Sequence, residues 1–250
     1  MKHILSTITT VAAALLIALI AHLPARGAGI VSVDFTGATQ TNMLVTEVAG
    51  VAPYARDHWV PAAGAAGSMN NLPDETGTQV FGLSVGWSAT NVADNFFPNG
   101  TGDQHMMKGY LTTNPGFGGL VTINFTVPPS FGPYKVVAYM NINDINAGWE
   151  GNYTGNGQTI NARDNTFDTM GMFLGGWDKV DNANVDYTGN WMEWGPFSSG
   201  QSFNLTAVPF GAGAVQAGIN GIQIIPVPEP GGAASALCAG VLLSFRRRRK

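Results

Sequence analysis

A single all-β sandwich is predicted for the body of this 250-residue chain by three observations. Between Gly29 and Ile225 the sequence is rich in Gly, Asn and Thr. Turn residues recur about every dozen positions, as short strands joined by tight loops require. No long stretch carries the 3.6-residue apolar period of an amphipathic helix. About two hundred residues are enough for one domain with a sizeable core, and no low-charge linker divides them.

The strands follow from alternation and β-branched content, taken in chain order. In "IVSVDFTG" (30–37), Val31, Val33 and Phe35 share one face and Ile30, Ser32 and Asp34 the other, so one face is expected to be buried. The same reading applies to residues 78–90, 119–127, 134–142, 171–176, 189–197, 202–208 and 219–226. Pro128, Pro129 and Pro133 end the strands on either side of them, because proline cannot donate to a ladder. In "GNWMEWGPF" Trp191 and Glu193 point one way and Met192 and Trp194 the other, so the two indoles cannot both be core. Residues 91–105 and 143–166 read as long loops, the usual carriers of function. "YTGN" occurs at 153–156 and again at 187–190, which predicts two similar hairpin turns rather than a repeat array. A jelly-roll or galactose-binding-like sandwich is the expected architecture.

The two ends have a different logic. Lys2, the apolar run Val11–Ala21 and the small residues Ala25, Gly27 and Ala28 have the layout of a secretory signal peptide. Cleavage is expected after Gly27, with Ala28 and Gly29 as alternative last residues. The run is shorter than the roughly 20 residues that span a bilayer, which disfavours a retained anchor. At the other end, Val227-Pro228-Glu229-Pro230 precedes an apolar run from Gly231 to Phe245 and the cations Arg246, Arg247, Arg248, Arg249 and Lys250. Such an apolar run would be a liability in water, which disfavours a solvated or nucleic-acid-binding tail. Cations flanking an apolar segment stay cytoplasmic, so everything between the two ends is expected to be translocated.

These last 24 or so residues resemble the PEP-CTERM sorting signal of Gram-negative bacteria. That resemblance implies recognition by an exosortase-type membrane enzyme and cleavage near Pro228, Glu229 and Pro230. It further implies a transient stay in the inner membrane, then delivery to the cell surface or extracellular polysaccharide. The body also resembles exported sandwich domains that precede such signals, through "SVDFTG", "MKGYL" (107–111) and "GINGIQIIPVPEP". The expected organisation is a signal peptide at 1–27, a sandwich at 28–226 and a sorting signal at 227–250.

The only cysteine, Cys238, lies in the tail, so neither disulfides nor a cysteine metal cluster holds the body together. The body carries five cations against fifteen acids, a net of −10, while the whole chain is at −4. An acidic surface argues against nucleic acid and anionic membrane as partners and for neutral ligands, cations or simple solubility.

Two segments carry the candidate chemistry. "NINDINAGWEGNYTGNGQ" (141–158) sets Asp144, Glu150 and Asn152 beside Trp149, the mixture of aromatic face and amide or carboxylate that holds a sugar. Trp191 is a second candidate platform. In "GWDKVDNANVDYTGNWMEW" (176–194), Asp178, Asp181 and Asp186 are candidate ligands of a structural calcium, whose six to eight oxygens tolerate loose geometry. No EF-hand, nucleophile elbow, HExxH or phosphate loop is present. His58 and His105 have no partner at zinc-like spacing. The leading expectation is a non-enzymatic, exported surface or matrix protein that binds polysaccharide. A secreted carbohydrate-active enzyme (glycoside hydrolase or lyase) and a purely structural surface protein are the alternatives.

Overall fold

The computed structural model describes residues 29–95, 100–113, 119–142, 150–163, 173, 176–180, 187–210 and 216–228. They belong to one compact unit bounded by Ala28 and Pro228. The fold is all-β. In chain order the strands are β1 (Val31–Thr36), β2 (Val60–Ala63), β3 (Ala66–Asn70), β4 (Ser84–Ser88), β5 (Asn91–Asp94), β6 (Gly109–Thr112) and β7 (Val121–Thr126). They continue as β8 (Tyr134–Tyr139), β9 (Glu150–Gly155), β10 (Gln158–Arg163), β11 (Trp191–Phe197), β12 (Phe203–Pro209), β13 (Gly218–Ile219) and β14 (Gly221–Pro226). One helical turn, α1 (Asp103–Met106), precedes β6.

Two large sheets form a sandwich-like arrangement. One has the order β11-β8-β14-β1-β2 and the other β10-β9-β12-β7-β4-β3; a small third sheet runs β13-β6-β5. Within them the antiparallel pairs are nested: β1 with β14, β7 with β12, β8 with β11, and β9 with β10. Alternate pairs fall in opposite sheets, so the chain crosses the sandwich between one pair and the next. Pro128 to Pro133 make one such crossing, through a 3-10 turn at Pro129–Phe131.

Alternation fills the space between the sheets. Val31, Val33, Phe35, Val136, Ala138, Met192, Trp194, Ile222 and Ile224 enter from the five-stranded sheet. Val85, Trp87, Ile123, Phe125, Tyr153 and Leu205 meet them from the other. Both core indoles satisfy their N–H at a carbonyl: Trp194 donates to Gln158 O at 3.1 Å and Trp87 to Gly64 O at 3.0 Å.

The structure corrects several expectations. The segment 143–166, expected as a loop, contains the hairpin β9–β10, whose turn uses Asn156 and Gly157 at φ 45° and 84°. The segment 91–105 likewise contains β5 and the start of α1. The strand expected from residue 78 begins at Ser84. Of 171–176 only Phe173 and Gly176 are described, and neither lies in a strand. The first "YTGN" begins in β9 and ends at its hairpin turn, but the second leads into β11. Finally, all six residues of β1 are buried, polar face included, because a further layer covers that sheet.

Candidate functional site

The outer faces of the two large sheets differ completely. On the five-stranded sheet, Ser32 and Asp34 of β1, Gln223 of β14 and Tyr139 of β8 point away from the sandwich core. The segment 38–59, α1 and residues near 173–180 lie over them. Met43, Val51, Trp59, Met106, Met107 and Phe173 pack there against Val137 and Tyr139. Most of the polar groups beneath are consumed internally, Asp34 Oδ1 being left without a hydrogen-bond partner. Tyr139 donates to Gln223 Oε1 at 2.5 Å, and Gln223 Nε2 donates to Ser32 Oγ at 2.9 Å and Tyr54 O at 3.0 Å.

Asp34 is fully buried there, accepting a bond from Gln40 Nε2 at 3.0 Å. Burial pushes its carboxyl well above the usual range; the Gln40 bond opposes this and the Glu47 charge adds to it. The His105 ring is enclosed as well, with Nδ1 at 3.0 Å from Glu47 Oε2 and Nε2 at 2.6 Å from Thr41 O.

Trp191 belongs to this covered side. Its indole packs against the apolar layer and carries the Lys179 ammonium 5.0 Å from the ring centroid. Beside it, Glu193 accepts from Tyr54 OH at 3.0 Å and Lys135 Nζ at 3.2 Å, and Lys179 Nζ lies at 3.4 Å. Burial by itself would raise the Glu193 pKa, but the Lys135 bond and the Lys179 charge outweigh it, so the carboxyl is held below its ordinary value.

The outward face of the six-stranded sheet is open and almost free of charge. Alternation turns Thr122, Asn124 and Thr126 of β7 outward, with Asn204 and Thr206 of β12, Asn152 and Thr154 of β9, and Thr159 and Asn161 of β10. Strand register aligns like with like. Thr122 lies opposite Thr206, Thr206 opposite Thr154, and Thr154 opposite Thr159; Ser88 of β4 extends the row beyond Thr122. A parallel row places Asn124 opposite Asn204, and Asn204 Nδ2 donates to Asn124 Oδ1. Asn156 continues it, accepting the Asn204 N–H at 2.8 Å. Among the described residues of these six strands, the only charged outward side chains are Glu150 and Arg163, paired with each other at 3.7 Å.

The residues singled out from the sequence therefore separate. Glu150 and Asn152 lie together on β9 in the open face, where Asn152 Oδ1 is enclosed without a hydrogen-bond partner. Trp191 lies on the other sheet and shares no site with them. Asp144 and Trp149 are outside the described residues. So are Asp181 and Asp186, while the Asp178 N–H donates to Asn190 Oδ1 at 3.0 Å just before β11. Among the described residues no group of three or more His, Cys, Asp or Glu is placed to hold a metal ion. Pro228 lies two residues beyond the end of β14 at Pro226; Glu229, Pro230 and Arg246 to Arg249 lie outside the described residues. No helix among those described is long and apolar enough to cross a membrane.

The sequence carries a signal for the hydroxyl and amide rows. "VTINFT" and "FNLTAV" place Thr or Asn at every second position between core residues. No protein-family model, curated protein or solved structure matches the chain.

Proposed function

We propose that this chain is an exported cell-surface or extracellular-matrix protein whose sandwich binds polysaccharide and whose last 24 residues direct its sorting. The observation that carries the binding reading is the open face of the six-stranded sheet. A sugar polymer is a dense array of hydroxyls, and Thr, Ser and Asn offer both donors and acceptors to meet them without charge. The nested strand pairing supports a jelly-roll, galactose-binding-like class for the sandwich. Its covered opposite sheet leaves the six-stranded face as the broad polar surface of the described residues.

Sorting rests on the signal peptide at 1–27 and the PEP-CTERM-like end. Each proline restricts its own backbone and that of the residue before it, so the sequence Pro228-Glu229-Pro230 disfavours a helix and suits a protease's need for a strand-like substrate. An exosortase-type enzyme is the partner, and the inner membrane is only a stage on the way out. The mature protein is expected to lack residues 1 to about 27 and everything after about Pro230. Replacing Pro228-Glu229-Pro230 by alanines should leave uncleaved chain at the inner membrane. Intact-mass measurement on protein from the native host tests this, and a surface species still carrying Arg246 to Lys250 refutes it.

Binding is tested by presenting the exported protein to an array of neutral, anionic and cationic glycans. Retention on at least one polysaccharide is expected, without release of reducing ends or unsaturated products. Steady product release would favour the carbohydrate-active enzyme, and no binding at all the purely structural coat protein.

A further inference from the structure

We propose that the bound polysaccharide is a neutral, extended glycan lying across the strands of the six-stranded sheet, about one sugar per strand. This deepens the polysaccharide-binding reading and rests on it.

Direction comes from register. Ser88, Thr122, Thr206, Thr154 and Thr159 stand side by side on five neighbouring strands, so the backbone positions that carry these hydroxyls recur at the strand spacing of about 4.8 Å, perpendicular to the strands. An extended pyranose chain advances by a similar distance per residue, so successive sugars meet successive hydroxyls. Two residues along the strands, Asn124, Asn204 and Asn156 form a second, parallel rail of amides. A sugar ring bridging the rails meets a hydroxyl on one edge and an amide on the other. The facing hydroxyls of Thr154 and Thr159 already bond each other at 2.8 Å, which shows how close neighbouring groups in the row come.

Neutrality comes from charge. An anionic polymer would find no cation along either rail and would approach a body with five cations and fifteen acids. A cationic one would find no carboxylate between the rails, since Glu150 lies at the edge and is held by Arg163. The outward positions of the described strands in this sheet carry no aromatic ring, so hydrogen bonding along the row replaces ring stacking. Each sugar then contributes little, and affinity accumulates with length.

The test uses the exported protein and neutral oligosaccharides of increasing length, from one backbone the array retains, measured by calorimetry. Affinity is expected to climb with length and level off near about five sugars, the number of strands the hydroxyl row crosses. It should change little between low and moderate salt. Thr122→Val with Thr206→Val removes two hydroxyls at constant shape on strand positions that favour Val, and should weaken binding on the order of tenfold. Circular dichroism checks that the pair leaves the fold intact; if it does not, Thr154→Val with Thr159→Val removes the other end of the row. Undiminished binding in a folded variant overturns the placement while leaving the polysaccharide reading standing. So does a preference for uronic-acid polymers or a steep loss with salt. A concentration-dependent dimer abolished by the same variants overturns it in favour of a second copy on this face. Failure to bind any glycan overturns the reading beneath it.

Discussion

Adding one methyl group at two glycines of the same sheet should move stability in opposite directions. Gly155 of β9 faces the core: a Cβ there would lie 2.8 Å from Trp194 Cδ1 and 2.9 Å from Cγ and Nε1. The indole has little room to retreat. It is 1% exposed, its N–H is tied to Gln158 O, and its centroid lies 6.1 Å from that of Phe203. Overpacking of this kind costs about 1–3 kcal/mol. Gly86 of β4 faces outward, and the nearest atom to its Cβ position is Gly67 O at 3.9 Å. Neither glycine has a positive φ, so Ala is compatible with both backbones. Gly86→Ala should therefore stabilise by about 0.4–1 kcal/mol, through the lower entropy of the unfolded chain. Melting temperatures of the two variants should lie roughly 3–15 °C apart for a domain of this size. Calorimetric melting of both, with the double variant Gly155→Ala/Trp194→Phe, measures the effect and its source. The smaller ring should recover part of the loss, because the two sites touch. A Gly155→Ala protein melting at or above the parent would refute the wedging of Trp194 against β9.

Three further outcomes are expected. The raised Asp34 pKa favours the folded state most below the ordinary carboxylate range, and that contribution is lost as pH rises through the folded pKa. Asp34→Asn should accordingly match the parent in urea midpoint below about pH 4 and exceed it at neutral pH; a variant weaker at pH 7 would contradict the buried placement. The depressed Glu193 pKa works with the opposite sign, its stabilisation being present above the carboxylate range and lost as pH falls. Glu193→Gln should cost about 0.5–1 kcal/mol at pH 7, with the gap closing in acid, and a pH-independent loss would point to packing instead. A calcium ion gathered by Asp178, Asp181 and Asp186 would raise the melting temperature by binding the folded state alone. An unchanged transition with calcium and with chelator, after confirming that no metal copurified, removes that proposal.

Period-two alternation is a local property, so the sequence by itself determined that the body is all-β, that Met192 and Trp194 face away from Trp191 and Glu193, and where the strands from Val121 to Tyr139 run. Each strand carries that pattern whatever it later pairs with. Tertiary structure alone decided the rest. β9 and β10 were invisible because their Gly, Asn and Thr have the composition of turns, and Gly155 is required there only because Trp194, 39 positions later in the chain, lies against it. Ser32 and Asp34 read as a solvent face until the segment 38–59 is seen to cover them. Likewise, Thr122 and Thr206 become neighbours only through the register of β7 with β12 across 84 positions. Alternation shows that a strand has two faces. Which face is covered, and which side chains stand beside one another on the open one, depends on pairings between distant segments.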